Sequence, residues 1–177
     1  NGQLGSEINE LAADYLKLDG IFKDLPELDI CNIEALEKFI IDNQINAVIN
    51  CAAYTEVDKA EEDEVVAKKV NSDGVKNLVN ALQKINGKLI HISTDYVFDG
   101  NNSEPYKESD PVFPVGVYGE TKRAGELAVI NSKIDGIVIR TSWLYSTFGN
   151  NFLKTMLHLG KDKESLNVIS DQIGTPT

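Results

Sequence analysis

Metal-ligating and disulfide-forming residues are scarce in this chain. Its 177 residues include two cysteines and two histidines, too few for a disulfide framework. His91 and His158 stand far apart with no cysteine spaced to share an ion, so both read as structural and no transition-metal site is expected. Cys31 and Cys51 sit in apolar or helix-opening segments, where small buried thiols of a reducing compartment are expected. Long apolar runs are missing as well. AVIN from Ala47 and IVI from Ile137 fall far short of the roughly 20 residues that cross a bilayer, and no basic-then-apolar leader opens the chain. The expected setting is the cytoplasm, without a membrane partner. Basic residues are outnumbered, 17 Lys and Arg against 28 Asp and Glu, for a net charge of −11. That balance repels a phosphate backbone, and no basic stripe with interleaved aromatics is present, so no nucleic-acid partner is expected. A nucleotide-sized anion is not, because a helix N-terminus and a few local cations suffice to bind one. The sequence also lacks a Gly-x-Ser-x-Gly elbow and a Walker lysine, which removes the usual support for hydrolase and P-loop chemistry.

Four β-branched, apolar runs are present: AVINCA from Ala47, KLIHIST from Lys88, GIVIRTS from Gly136 and LNVIS from Leu166. Between them lie segments of helical period, carried by Leu4, Ile8, Leu11 and Tyr15, by Ile33, Leu36 and Ile40, and by Val75, Leu78, Val79, Leu82 and Ile85. Strands that are apolar almost throughout and alternate with helices predict an α/β fold, a doubly wound parallel sheet of the Rossmann-like kind spanning residues 1–177 as one partial domain. Ligands of such folds sit at the carboxyl ends of the strands. The stretch from Val57, VDKAEEDEVVAKK, reads as a solvated helix face. DGNNSEPYKESDPVFP, from Asp99, reads as a long loop. Both ends are expected to be cut. NGQLG carries glycines with the spacing of the second and third in a phosphate-binding turn, yet no strand precedes it, and DQIGTPT follows the run LNVIS without a closing helix.

Within that frame several residues gather at strand ends. Gly2, ahead of an amphipathic helix, would let backbone amides approach a pyrophosphate. Asp24, about twenty residues further on, carries two readings, an acceptor for a ribose hydroxyl and a surface-turn aspartate. KLIHIST ends on Ser93, Thr94 and Asp95, at the carboxyl end of a central strand. VYGETKRAGE, from Val117, follows Pro111 and Pro114 and predicts a helix from about Val115, with Tyr118 and Lys122 on one face. Beside a nicotinamide, a Thr, a Tyr and a Lys make a carbonyl-reduction site: the phenol gives the proton, the ammonium lowers the phenol pKa, and the Thr hydroxyl holds the carbonyl oxygen.

The stretches NGQLG, ELDI, NCAAYTEVDKAE, HISTDYVFDG, PYKE, VYGETKRAGE, RTSWLY, GNNFLKTM and DQIGTP, in this order, resemble the extended short-chain dehydrogenase/reductases and, among them, the dTDP-4-dehydrorhamnose reductase family. The resemblance implies reduction of the 4-keto group of dTDP-4-dehydro-6-deoxy-L-mannose to dTDP-L-rhamnose, a cell-surface polysaccharide precursor. It implies that Gly2, Gln3 and Leu4 line the pyrophosphate turn, that Asp29 and Ile30 border the adenine, and that Cys51, Ala52 and Ala53 follow the cofactor past its strand. Thr94, Asp95 and Trp143 would contact the dTDP-sugar, Tyr118 would donate the proton, and Lys122 would hold the nicotinamide ribose. NADPH is the expected cofactor with NADH competing, since Lys17 and Lys23 attract a 2′-phosphate that Asp24 repels. Some family members form homodimers through Mg²⁺ held by glutamates. Glu7 matches one such position and also reads as an exposed first-turn glutamate favoured by the helix dipole, so Mg²⁺ and pairing stay open. Sugar-nucleotide 4,6-dehydratases resemble one another in a Thr-Asp-Glu run. Here Tyr96 follows Thr94 and Asp95, which favours reduction over elimination. A 4-epimerase and a non-catalytic subunit resembling the regulatory subunit of methionine adenosyltransferase are the alternatives.

Overall fold

The computed structural model describes residues 2–15 and 19–177. In chain order its main elements are α1 (Gln3–Ala12), α2 (Ile33–Asp42), β1 (Ala47–Asn50), α3 (Glu64–Lys68), α4 (Gly74–Gln83), β2 (Lys88–Thr94), α5 (Val117–Ile130), β3 (Asp135–Thr141) and α6 (Phe152–Leu159). The chain divides into two units, Asp24–Arg140 and the remainder. The strands form one sheet in the order β1-β2-β3. β1 and β2 run parallel, with Ala47 opposite Lys88 and Asn50 opposite His91. The architecture is the expected parallel α/β, Rossmann-like fold.

Alternation along the strands decides which side chains enter the core. Val48, Leu89 and Val138 pack with Leu36 and Ile40 of α2, Val75, Leu78 and Leu82 of α4 and Val129 of α5. Each fully buried leucine or isoleucine in that cluster stabilises the fold by about 1.5–3 kcal/mol. On the other strand face Ile49, Ile137 and Ile139 remain 46%, 56% and 42% exposed. The core therefore lies between the sheet and the α2/α4/α5 layer.

The predicted strand LNVIS is not one: residues 166–170 adopt no strand, and only Leu166 is even half-buried. An apolar run becomes a strand when a neighbour satisfies its amides, and no described strand pairs with this one. The charged stretch from Val57 also departs from a continuous solvated helix. It breaks into a 3₁₀ turn, Asp58–Glu61, and α3, because Asp63 sits at φ −105°, ψ 34°. Ala60 and Ala67 in it are fully buried. A π turn, Lys69–Asp73, then joins α3 to α4 and carries Asn71 into the interior. Asn71 Oδ1 accepts from the Tyr54 amide at 2.9 Å, and its Nδ2 donates to the Tyr54 carbonyl at 3.0 Å and to Thr121 Oγ1 at 3.2 Å.

The helix predicted from Val115 starts at Val117, whose amide donates to Glu61 Oε1 at 2.8 Å. Two glycines let α5 come close to its neighbours. A Cβ at Gly119 would lie 2.2 Å from the Tyr96 carbonyl oxygen, and one at Gly125 would lie 2.3 Å from that of Asn71. Both obstacles are backbone and cannot swing aside. We therefore expect Gly125→Ala to destabilise the full-length protein by about 1–3 kcal/mol through overpacking. Urea unfolding reads this directly, and an unchanged midpoint would show that α5 does not need this approach.

Candidate active site

β2 delivers Thr94 to its carboxyl end, and the chain turns at once into the 3₁₀ segment Asp95–Val97. Thr94 Oγ1 donates to Asp95 Oδ1 at 3.0 Å and accepts from the Tyr96 amide at 3.2 Å, which caps that turn. Tyr118, in the first turn of α5, meets the Tyr96 ring edge-on with centroids 5.6 Å apart. Its hydroxyl lies beside that of Thr94. Lys122, one turn further on, is 2% exposed and donates from Nζ to the Ile92 carbonyl oxygen at 2.6 Å. The structure thus brings Thr94, Asp95, Tyr118 and Lys122 together at the end of the central strand.

The electrostatics differ from expectation on one point. Burial pushes the Tyr118 phenol up from its usual value, the neighbouring Thr94 hydroxyl opposes this, and Asp95 and Tyr96 reinforce it. The predicted lowering by Lys122 is not seen, because the ammonium points at the Ile92 carbonyl. Burial in turn pulls Lys122 down to about 8, with Glu126 and Cys51 acting against it.

Below these residues lies a polar layer that motif reading passed over. Glu126, fully buried, accepts from Arg140 Nε at Oε1 and from Arg140 Nη2 at Oε2, both at 2.8 Å, and from Arg123 Nη1 at 2.7 Å. Burial works to raise its carboxyl, but the hydrogen bonds from Arg140 and Arg123 prevail and hold it below its usual value. His91 is also fully buried. The Ala52 amide donates to Asn50 Oδ1 at 3.2 Å, so Asn50 presents Nδ2 to His91 Nδ1 at 3.1 Å and the imidazole carries its proton on Nε2. Burial and the nearby Lys122 drive His91 down to about 3. The available signal was spacing: Glu126 follows Lys122 by four, on the same helix face.

The remaining predicted residues are placed as follows. Asp24 opens a turn, its Oδ1 accepting from the Leu25 amide at 2.8 Å, and residues 19–24 form no strand before it. Asp29 Oδ1 accepts from the Cys31 amide at 2.8 Å. The Ile30 side chain fills space at Gly74 of α4, and its carbonyl accepts from Asn77 at 3.0 Å. Cys51, a free thiol raised by burial, follows β1, with the small Ala52 and Ala53 leaving the strand end open. In the smaller unit Gly2 caps α1, and a Cβ there would meet nothing within 4 Å. Gln3 Oε1 accepts from Asn151 Nδ2 at 3.0 Å, and Leu4 is half-buried. Glu7 lies beyond the first turn, half-buried, and accepts from Ser146 Oγ at 2.6 Å, so it is not the exposed first-turn glutamate expected. Trp143 takes φ +46°, a strained value for a bulky residue, and lines a cavity of about 440 Å³ with Gln3, Tyr145 and Phe152. Lys17 lies outside the described residues.

Fold and site together define an α/β protein of the Rossmann-like class, with a Thr/Tyr/Lys cluster at the end of a central strand. The model of the family described as RmlD substrate binding domain matches residues 1–177, and the chain belongs to that family. The dTDP-4-dehydrorhamnose reductase of Aggregatibacter actinomycetemcomitans is 43% identical over 99% of this chain and 60% of its own length. That of Escherichia coli K12 is 41% identical with the same coverage. The crystal structure of a dTDP-4-dehydrorhamnose reductase from Clostridium acetobutylicum superposes with a TM-score of 0.95 at 46% identity, covering 100% of this chain and 62% of that one. A Bacillus anthracis structure in complex with NADP gives 0.95 at 42%, covering 100% and 63%. The chain spans about 60% of the length of these curated relatives.

The depressed imidazole has a consequence for stability. A group whose folded pKa of about 3 lies below its ordinary 6.5 contributes stability that is full above 6.5 and is lost as pH falls toward 3. His91→Gln, which keeps an acceptor for Asn50, is expected to remove up to about 1.4 kcal/mol per pH unit from that slope. Urea unfolding of the full-length protein between pH 7 and 4 measures it. Parallel wild-type and variant curves would refute the assignment.

Proposed function

We propose that the full-length protein reduces the 4-keto group of dTDP-4-dehydro-6-deoxy-L-mannose with NADPH, NADH competing, and that residues 1–177 supply its NAD(P)-binding part. The reaction is placed in the cytoplasm, in keeping with the free thiols of Cys31 and Cys51. The names of the relatives and the NADP complex support this reading. The observation that carries it is Thr94 and Tyr118 side by side at the end of β2, with a buried ammonium one turn away.

The residues suit a nicotinamide ribose. An ammonium has three N–H donors, of which the Ile92 carbonyl takes one. Small side chains at Ala52 and Ala53 leave room along the end of β1. Bound there, the reduced nicotinamide supplies the hydride. Tyr118, kept protonated by burial, donates the proton to the carbonyl oxygen, and Thr94 holds that oxygen in place. Lys122 binds the ribose hydroxyls and offers positive charge as the phenol loses its proton. Tyr96 stands where dehydration would need a carboxylate, and its ring braces Tyr118.

Oxidation of NADPH dependent on the dTDP-ketosugar tests the proposal, and its absence in folded full-length protein would overturn it. Tyr118→Phe should lower kcat roughly 10²- to 10⁴-fold with the thermal midpoint kept, because it removes the general acid. A structural tyrosine would give the reverse pattern. The Lys122 ammonium is present below about pH 8 and lost above it. Wild-type kcat/KM should therefore fall as pH rises through about 8, and Lys122→Met should be slower at neutral pH and lack that limb. A limb that survives in Lys122→Met assigns it to another group.

A further inference from the structure

We propose that Glu126 is a positioning residue for Lys122: anchored by Arg140 and Arg123, it fixes α5 against the sheet and holds the Lys122 ammonium charged at the end of the strand. This rests on the reading of Lys122 given above. The geometry has three parts. Glu126 lies four residues after Lys122, so both point to the β2 side of one helix. Arg140, from the neighbouring strand, grips both carboxylate oxygens at 2.8 Å, and Arg123 adds a third contact at 2.7 Å. Lys122 Nζ donates to the Ile92 carbonyl of β2 at 2.6 Å, while Arg140 ties the carboxylate to β3. Ammonium and carboxylate are thus fastened to neighbouring strands of one sheet. A shift of α5 across the sheet would break both fastenings.

The arginines do not consume the effect of Glu126 on Lys122. A fully buried carboxylate one helical turn along α5 still favours the charged form of an ammonium whose hydrogen bond goes to a carbonyl. Lys122 otherwise faces Tyr118 on α5, His91 on β2 and Cys51 beyond β1, and near neutral pH none of these carries a countercharge. Asp95, beyond β2, takes the Thr94 hydroxyl. Of the charges on the other elements packed against α5, Asp58, Glu64, Lys68 and Lys69 are exposed to solvent. Glu61 accepts the Val117 amide, Asp63 the Tyr54 hydroxyl, Asp73 pairs with Lys76, and Lys84 with Glu37. Glu126 is therefore the group placed to keep Lys122 protonated near neutral pH.

The test follows the Lys122 side chain directly, by ¹³Cε titration of full-length protein labelled in lysine, beside the pH profile of kcat and the NADPH Kd. In Glu126→Gln the Lys122 titration should move to lower pH, the alkaline limb of kcat should move with it, and NADPH binding should weaken at pH 8 more than at pH 6. Glu126→Asp, which keeps the charge, should restore the titration toward wild type. Should Glu126→Gln not fold, Glu126→Gln with Arg140→Gln, which removes the guanidinium that grips both oxygens and leaves only the partly exposed Arg123, carries the same measurement and the same expected direction. A Lys122 titration unmoved in the folded variant overturns the proposal, as does one moved equally by Glu126→Asp. Failure of the functional reading looks different: wild-type protein would not oxidise NADPH with the ketosugar, while the Lys122 titration would still respond to Glu126→Gln.

Discussion

Burying the Lys122 ammonium is the constraint from which most of the surrounding structure follows. An isolated charge in a protein interior costs several kcal/mol unless hydrogen bonds and an opposite charge replace the water it loses. The Ile92 carbonyl supplies the first and Glu126 the second, and both require α5 to lie close against β2. A close approach is what Gly119 and Gly125 allow, each where any larger side chain would strike a backbone carbonyl. The small residues of α5 and its charged residues answer to one requirement.

Glu126 carries the burden further from the site. A carboxylate with no exposed surface needs partners in turn, and a forked guanidinium meets both its oxygens at once. Arg140 also lies over the Phe98 ring, 4.9 Å from its centroid, and Phe98 stacks on Tyr106 at 4.2 Å. The Tyr106 hydroxyl donates to Asp99 Oδ1 at 2.7 Å. The loop that follows Thr94 and Asp95 is therefore tied to the same ionic layer that anchors Lys122. Charge placed to serve one lysine ends by ordering a loop of the candidate site.

Much of this was legible in the sequence because the signals were periodic. β1, β2 and β3 read as apolar runs, α2 and α4 as helical repeats, and α5 as a helix-forming stretch after two prolines, each within a residue or two. Thr94, Tyr118 and Lys122 stood out by resemblance and by their places at a strand end and a helix start. Glu126 and Asn71 were passed over for a physical reason. Their meaning depends on partners 14 and 17 residues away, Arg140 and Tyr54, which no local pattern connects. LNVIS failed the other way: its local pattern is a good strand pattern, but a strand exists only with a neighbour to pair with. The direction of the Tyr118 shift was missed because spacing says that a lysine is near and not where its ammonium points.

The hydrogen bonds of Thr94 add one more step to the proposed chemistry. A hydroxyl has one hydrogen to give. In the free protein Thr94 gives it to Asp95 and accepts from the Tyr96 amide, while the Tyr118 hydroxyl is its third neighbour. A substrate carbonyl oxygen can only accept. For Thr94 to hold one, its hydrogen must turn away from the Asp95 carboxylate, which then needs another donor. A sugar hydroxyl beside the reacting carbon is such a donor, which gives Asp95 a reason to contact substrate beyond its place in the motif. Under the proposed function Thr94 and Asp95 would thus offer such a sugar one donor and one acceptor. The hydrogen bond between them satisfies both polar groups at the strand end.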